Sequence, residues 1–230
     1  DLEWSEHRVE TSEGVTLHGW MIGDPSDKSV VVYSHGNAGN ISGRVDIAGD
    51  IARQGKAVFL YDYRGYGKSE GSPSEDGIYK DGEAVVHYLK DSLNIATDRM
   101  IFFGRSLGGS VAARQAAEFE GAGLVLDSAF ISGKEIATDI YPFIPGFLIG
   151  VDFPVDDDLR QTKASRILIL HARSDRIVPF HHGEKLYDIA QETLPEESVM
   201  FVELQGGHNT GFSQSREIYG EAWERFLSQL

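Results

Sequence analysis

The stretch Met100-Ile101-Phe102-Phe103-Gly104-Arg105-Ser106-Leu107-Gly108-Gly109-Ser110-Val111-Ala112-Ala113 decides how this chain is read. A short apolar run ends in glycine, presents a serine and continues into alanine-rich sequence, which predicts a strand, a sharp turn and a helix. Between strand and helix stands G-x-S-x-G. Glycine two positions either side of Ser106 lets the two elements approach without a Cβ clash, and the turn lifts the serine hydroxyl above the sheet at the helix N-terminus. Three fixed positions in five also recur by chance, and a glycine-rich turn of this kind can cradle a phosphate. The flanking chain has to decide between these readings.

Upstream, Ser29-Val30-Val31-Val32-Tyr33-Ser34 is β-branched with no polar alternation, as expected of a strand covered on both faces. Before it, segments 4–11 and 16–21 alternate around Ser12-Glu13-Gly14 and predict an antiparallel hairpin. After it, strands are expected at 57–61, 124–127, 167–171 and 199–204. They are separated by helices near 43–54, 74–90, 180–191 and 213–229. Strands alternating with helical patterns mean βαβ units and a mostly parallel sheet, so the fold class is α/β.

The 230 residues fit one domain, and 41% hydrophobic with 25% charged composition is ordinary for a globular protein with a real core. A net charge of −15, from 21 basic and 36 acidic residues, argues against a nucleic-acid partner, whose phosphates need Lys and Arg. With no cysteine, disulfides, thiolate metal ligands and a cysteine nucleophile are all excluded. No stretch approaches the roughly 18 consecutive apolar residues of a membrane span. The expectation is a soluble, cytoplasmic chain with no membrane segment; because the sequence opens at Asp1, an upstream signal or anchor is left open.

Segment 130–163 is longer than one connecting helix needs, and Tyr141-Pro142-Phe143-Ile144-Pro145-Gly146-Phe147-Leu148-Ile149 combines helix breakers with large apolar side chains. One reading is a helix pair packed on the main core. The other is a small cap or lid insertion in which Phe143, Ile144, Phe147, Leu148 and Ile149 line an acyl-binding pocket.

Candidate chemistry gathers at predicted strand ends. His35-Gly36-Asn37-Ala38-Gly39-Asn40 follows the strand at 30–34, and a backbone N–H there, assigned to Asn37 with Ala38 as its substitute, could join that of Leu107 in holding an oxyanion. His35 itself reads as a buried histidine tying the loop down. Asp175 follows the strand at 167–171, at the sheet edge where ligands bind in open α/β sheets, and Asp127 is its rival. His208 follows Gly206-Gly207, which let the loop carry an imidazole inward, and histidine suits proton transfer near neutral pH. The order Ser106, Asp175, His208 separates the chain from the chymotrypsin and subtilisin arrangements. His181 and His182 open a helix, have no matching ligand cluster and read as solvated surface; no metal site is expected.

Together with Asp62-Tyr63-Arg64-Gly65-Tyr66-Gly67-Lys68-Ser69, these motifs resemble the α/β-hydrolase superfamily along nearly the whole chain. They are most similar to the branch holding membrane-tethered α/β-hydrolase-domain proteins and protein depalmitoylases. The resemblance implies a serine hydrolase acting through an acyl-enzyme with Ser106 as nucleophile, His208 as base and Asp175 as acid. It needs no cofactor. Its substrate is a small-molecule or lipid acyl ester or thioester, or an acylated protein. In that family the 62–69 turn carries no catalytic side chain, and it is read as the pocket floor. An aminopeptidase-type serine peptidase and a catalytically silent binding protein are the alternatives. Haloalkane dehalogenation needs a carboxylate where Ser106 stands.

Overall fold

The centre of the molecule is a sheet whose middle strands are buried on both faces. The computed structural model describes residues 2–26, 28–140 and 150–230. Among these, eight strands form one sheet in the order β1-β2-β4-β3-β5-β6-β7-β8. They are β1 (Trp4–Glu10), β2 (Thr16–Ile22), β3 (Val30–Ser34), β4 (Ala57–Tyr61), β5 (Met100–Arg105), β6 (Gly123–Asp127), β7 (Ile167–Ala172) and β8 (Val199–Leu204). β1 and β2 pair antiparallel, as do β2 and β4; from β4 to β8 the pairing is parallel. This is the α/β-hydrolase architecture that the strand and helix pattern predicts.

The missing polar alternation in the strands has a simple cause. Val30 and Val32, Phe59 and Tyr61, Met100 and Phe102 face one helical layer, formed by α2 (Glu75–His87), α3 (Leu107–Glu118), α5 (Val155–Arg160) and α6 (Phe180–Thr193). Val31 and Tyr33, Val58 and Leu60, Ile101 and Phe103 face the other, formed by α1 (Val45–Arg53) and α8 (Arg216–Leu227). Period-two alternation survives, but both sides of it are apolar because both sides are covered.

The expected helix at 213–229 is divided into α7 (Gly211–Gln214) and α8. Ser215 breaks it, its hydroxyl taking the Gln205 N–H at 2.6 Å and so tying the helix start to the end of β8. In the 130–163 insertion, α5 packs on the main core with Val155 and Leu159 fully buried, whereas α4 (Gly133–Ile140) buries only Gly133 among its residues. Within the insertion, segment 133–152 is closed on itself: the Gly133 N–H donates to the Asp152 carbonyl at 2.6 Å.

The helices after β3 and β5 lie on opposite faces, and those two strands are neighbours with Ser34 opposite Gly104. A crevice must open between their C-terminal ends, the place where open α/β sheets bind ligands. Segments 35–40 and 105–107 form its walls.

Candidate active site

Ser106 sits at φ 53°, ψ −120°, a conformation that side-chain-bearing residues rarely hold. Its surroundings enforce it. A Cβ on Gly104 would enter the carbonyl oxygen of Gly108, and one on Gly108 would enter the carbonyl oxygen of Ser34. Backbone meets backbone at both points, so no side chain can yield. Gly108→Ala should therefore destabilise by about 3 kcal/mol, lowering Tm by roughly 6–12 °C in a chain of this length. A variant melting within a degree of the wild type would contradict this account.

Above the turn, three side chains from three strand ends meet. His208 Nδ1 lies 2.7 Å from Asp175 Oδ2, and its Nε2 lies 3.0 Å from Ser106 Oγ. A carboxylate can only accept, so Nδ1 carries the proton and the Nε2 lone pair faces the serine hydroxyl. The second Asp175 oxygen accepts the backbone N–H groups of Ile177 and Val178, each at 2.9 Å. Burial pushes the Asp175 carboxyl up, but the His208 N–H and those two backbone donors outweigh it and hold the group below its usual range. The Asp175 and His208 loops are joined by Ser174 N–H donating to the Gly206 carbonyl at 3.2 Å. Such an arrangement can take a proton from Ser106 and keep the resulting imidazolium beside an anion.

Asp127 is engaged elsewhere. Its carboxylate accepts from the Tyr219 hydroxyl at 3.1 Å and the Ser128 hydroxyl at 3.0 Å, and Arg105 Nε stands 3.5 Å away. Arg105 in turn donates through Nη2 to the carbonyl of His208. The variable residue of G-x-S-x-G thus props the histidine loop, a link the sequence does not announce because its partner lies 103 positions away.

Leu107 opens α3, so its N–H is one of the helix's unclaimed donors beside Ser106. Asn37 borders the same space, and its loop is close enough that a Cβ on Gly36 would lie 3.4 Å from Ser106 Cβ. The 62–69 turn holds this loop. Asp62 Oδ1 accepts from Ile41 N–H at 2.9 Å, and the Tyr66 hydroxyl donates to Asn37 Oδ1 at 2.6 Å. His35 is fully buried, with Nδ1 2.7 Å from the Gly36 carbonyl.

Two clefts meet at Ser106. One, of about 500 Å³, is walled among the described residues by Leu107, Phe130, Ile136, Ile140, Val151, Phe153 and Ile177, with Tyr66 and Glu75 at its polar side. The other, of about 480 Å³, is lined by loop 36–40, turn 42–44, Arg105, His208 and Asn209. Phe143, Ile144, Phe147, Leu148 and Ile149, the expected acyl-pocket residues, lie outside the described residues; the flanking segments at 133–140 and 151–153 do border the apolar cleft.

One expectation is corrected. His182 is not solvated but fully buried, and Asp139 of α4 stands beside both histidines, 3.2 Å from His181 Nε2 and 2.9 Å from His182 Nε2. The three form a cluster of ligand-type atoms, all within 4.8 Å of one another, that the sequence could not foreshadow. The tautomer argues against a metal there. Ile131 N–H donates to His182 Nδ1 at 3.2 Å, so Nε2 must carry the proton that it gives to Asp139. A metal on Nε2 would put two donors face to face, the reverse of the usual second-shell arrangement. Among the described residues, no helix is long and apolar enough to cross a membrane.

A serine, histidine and aspartate presented on the strand ends of this eight-stranded sheet define an α/β-hydrolase. The chain belongs to the family described as serine aminopeptidase, S33 (Hydrolase_4), which matches residues 25–149. Similar relatives are the YfhR protein of Escherichia coli O157:H7, 30% identical over 97% of this chain and 81% of that one. The α/β-hydrolase domain-containing protein WAV2 of Arabidopsis thaliana is 32% identical over 100% and 80%. Among solved structures, the Pyrococcus furiosus esterase Pf2001 shares the fold at a TM-score of 0.83 and 23% identity, covering 99% of this chain and 91% of its own.

Proposed function

We propose that this α/β-hydrolase cleaves carboxylic ester or thioester bonds through an acyl-enzyme intermediate. The continuous chain Ser106 Oγ, His208, Asp175, set on a strained turn at a helix N-terminus, carries the reading. His208 Nε2 takes the Ser106 proton as Oγ attacks the carbonyl carbon, and the backbone N–H groups of Leu107 and Asn37 hold the oxyanion. His208 then protonates the departing alcohol or thiol, and water releases the acid by the same route.

An apolar cleft beside the serine supports an acyl substrate. Ile140, Val151 and Ile177 are exposed large hydrophobic residues, and all three border this cleft. The family name favours a second reading, a peptidase, which needs an acidic or hydrogen-bonding pocket for the substrate amine. Among the described residues Glu75 is the carboxylate bordering the apolar cleft, where it accepts Phe153 N–H at 2.7 Å and Asp152 N–H at 2.8 Å. The apolar character of the rest of that lining favours the acyl reading.

A fluorophosphonate probe should label Ser106, and p-nitrophenyl esters should be turned over in preference to aminoacyl substrates. Each added methylene should raise kcat/KM by roughly fourfold, from about 0.8 kcal/mol per buried CH₂, until the cleft ends. Ile136→Ala should flatten that climb. Faster turnover of aminoacyl substrates would hand the site to the peptidase reading, and an unreactive Ser106 would leave a binding protein.

A further inference from the structure

The two clefts differ in which catalytic side chain they expose. His208 borders the polar cleft and is missing from the described lining of the apolar one, whereas Leu107, the proposed oxyanion donor, borders the apolar one. The group that leaves must receive its proton from His208 Nε2, so it departs on the His208 side. Acyl chain and leaving group are thereby assigned to different clefts.

The leaving-group cleft has a charge opposite to that of the molecule. The chain carries −15, yet the described lining of this cleft holds two arginines and no carboxylate. Arg105 is offset by Asp127. Arg44 is not: it forms no ion pair among the described residues, its Nη2 donates to the Ala38 carbonyl, and its Nε is buried with no partner. The guanidinium is tied to the loop by that bond to Ala38, and the turn that carries Arg44 is pinned through Ile41 N–H to Asp62. A fixed, uncompensated guanidinium matches a carboxylate or phosphate in charge and geometry.

Resting on the ester and thioester reading above, we infer that the substrate's leaving group is acidic, an alcohol or thiol bearing a carboxylate or phosphate that Arg44 binds. The Ser106 Oγ–C bond forms and the C–O or C–S bond breaks. The Ser106 proton passes through His208 to the leaving oxygen or sulfur, while the acidic group stays ionised against Arg44.

The test compares hexanoyl thioesters of 3-mercaptopropionate, 3-mercaptopropionamide and thiocholine, whose leaving groups are anionic, neutral and cationic. A parallel pair, glycerol monohexanoate and its 3-phosphate, reads whether phosphate serves in place of carboxylate. The expected kcat/KM for the acid exceeds that for the amide by about tenfold or more, one decade being about 1.4 kcal/mol, with thiocholine slowest. The acid-to-amide ratio should fall toward one in Arg44→Gln, recover in part in Arg44→Lys and shrink as salt rises. A ratio spares the comparison from any general loss caused by disturbing loop 36–40. Preference in only one of the two pairs assigns that anion. Equal turnover within both pairs, or a preference that Arg44→Gln leaves intact, overturns the inference while the acyl reading stands. No turnover of any of the substrates overturns both.

Discussion

Ser106→Ala and His208→Ala should each lower ester turnover on the order of 10⁵–10⁶-fold, and the double variant should be little worse than either alone. Serine, histidine and carboxylate act as one proton-transfer unit, so removing a second member takes away something already lost. The geometry makes the dependence mutual: Ser106 Oγ is 3.0 Å from His208 Nε2, and the lone pair there faces the hydroxyl only because Asp175 fixes the proton on Nδ1. Turnover measured for both singles and the double, with circular dichroism to establish folding, reads this directly. A double variant slower than each single by another factor of the same size would mean that the two residues act independently, and the proposed mechanism would fall.

The second large effect is at the acid. Asp175→Asn should reduce kcat by about 10⁴, because an amide can donate to Nδ1 and so select the wrong imidazole tautomer. Asp127→Asn should act mainly on stability. It removes the counter-charge of Arg105 and one of the two oxygens that accept from the Tyr219 and Ser128 hydroxyls, with an expected loss of about 1–3 kcal/mol, while turnover of the folded protein falls by about tenfold at most. Chemical denaturation and kinetics on the two variants should give opposite rankings. Acid titration adds a sign: because the folded Asp175 carboxyl is held low, its ionised form contributes stability above its unfolded pKa of about 3.9. That contribution is lost as pH falls through the lower folded value, so wild type and Asp175→Asn should converge in stability in strong acid. If Asp127→Asn proved the crippling change in a folded protein, the acid would belong to β6.

The sheet was legible in the sequence because its strands are short, uniformly apolar and bounded by loops rich in glycine, and β4 and β8 have the expected limits. The placing of Ser106, Asp175 and His208 at one sheet edge was legible as well, since a parallel sheet brings every strand's C-terminus to the same side. What escaped reading were contacts whose second partner comes from distant sequence. Arg105 looked like the variable letter of a motif and Tyr66 like pocket floor; their partners are His208 and Asn37. His182 misled for the same reason. Two histidines at a helix start look wet until segment 131–139 arrives to cover one of them.

The closure of segment 133–152 on itself bears on how such a chain can change over time. Gly133 N–H meets the Asp152 carbonyl, Glu75 grips the backbone of Asp152 and Phe153, and Val155 is already in the core. A segment whose two ends are fixed to each other can be lengthened cheaply, since doubling a loop adds only about 0.6 kcal/mol of closure entropy. Asp139 has to stay, because the buried His182 donates to it. If the proposed acyl-cleaving function holds, selection, or an engineer adding residues between Asp139 and Asp152, can reshape the apolar cleft while the strands and the loops bearing Ser106, Asp175 and His208 keep their places.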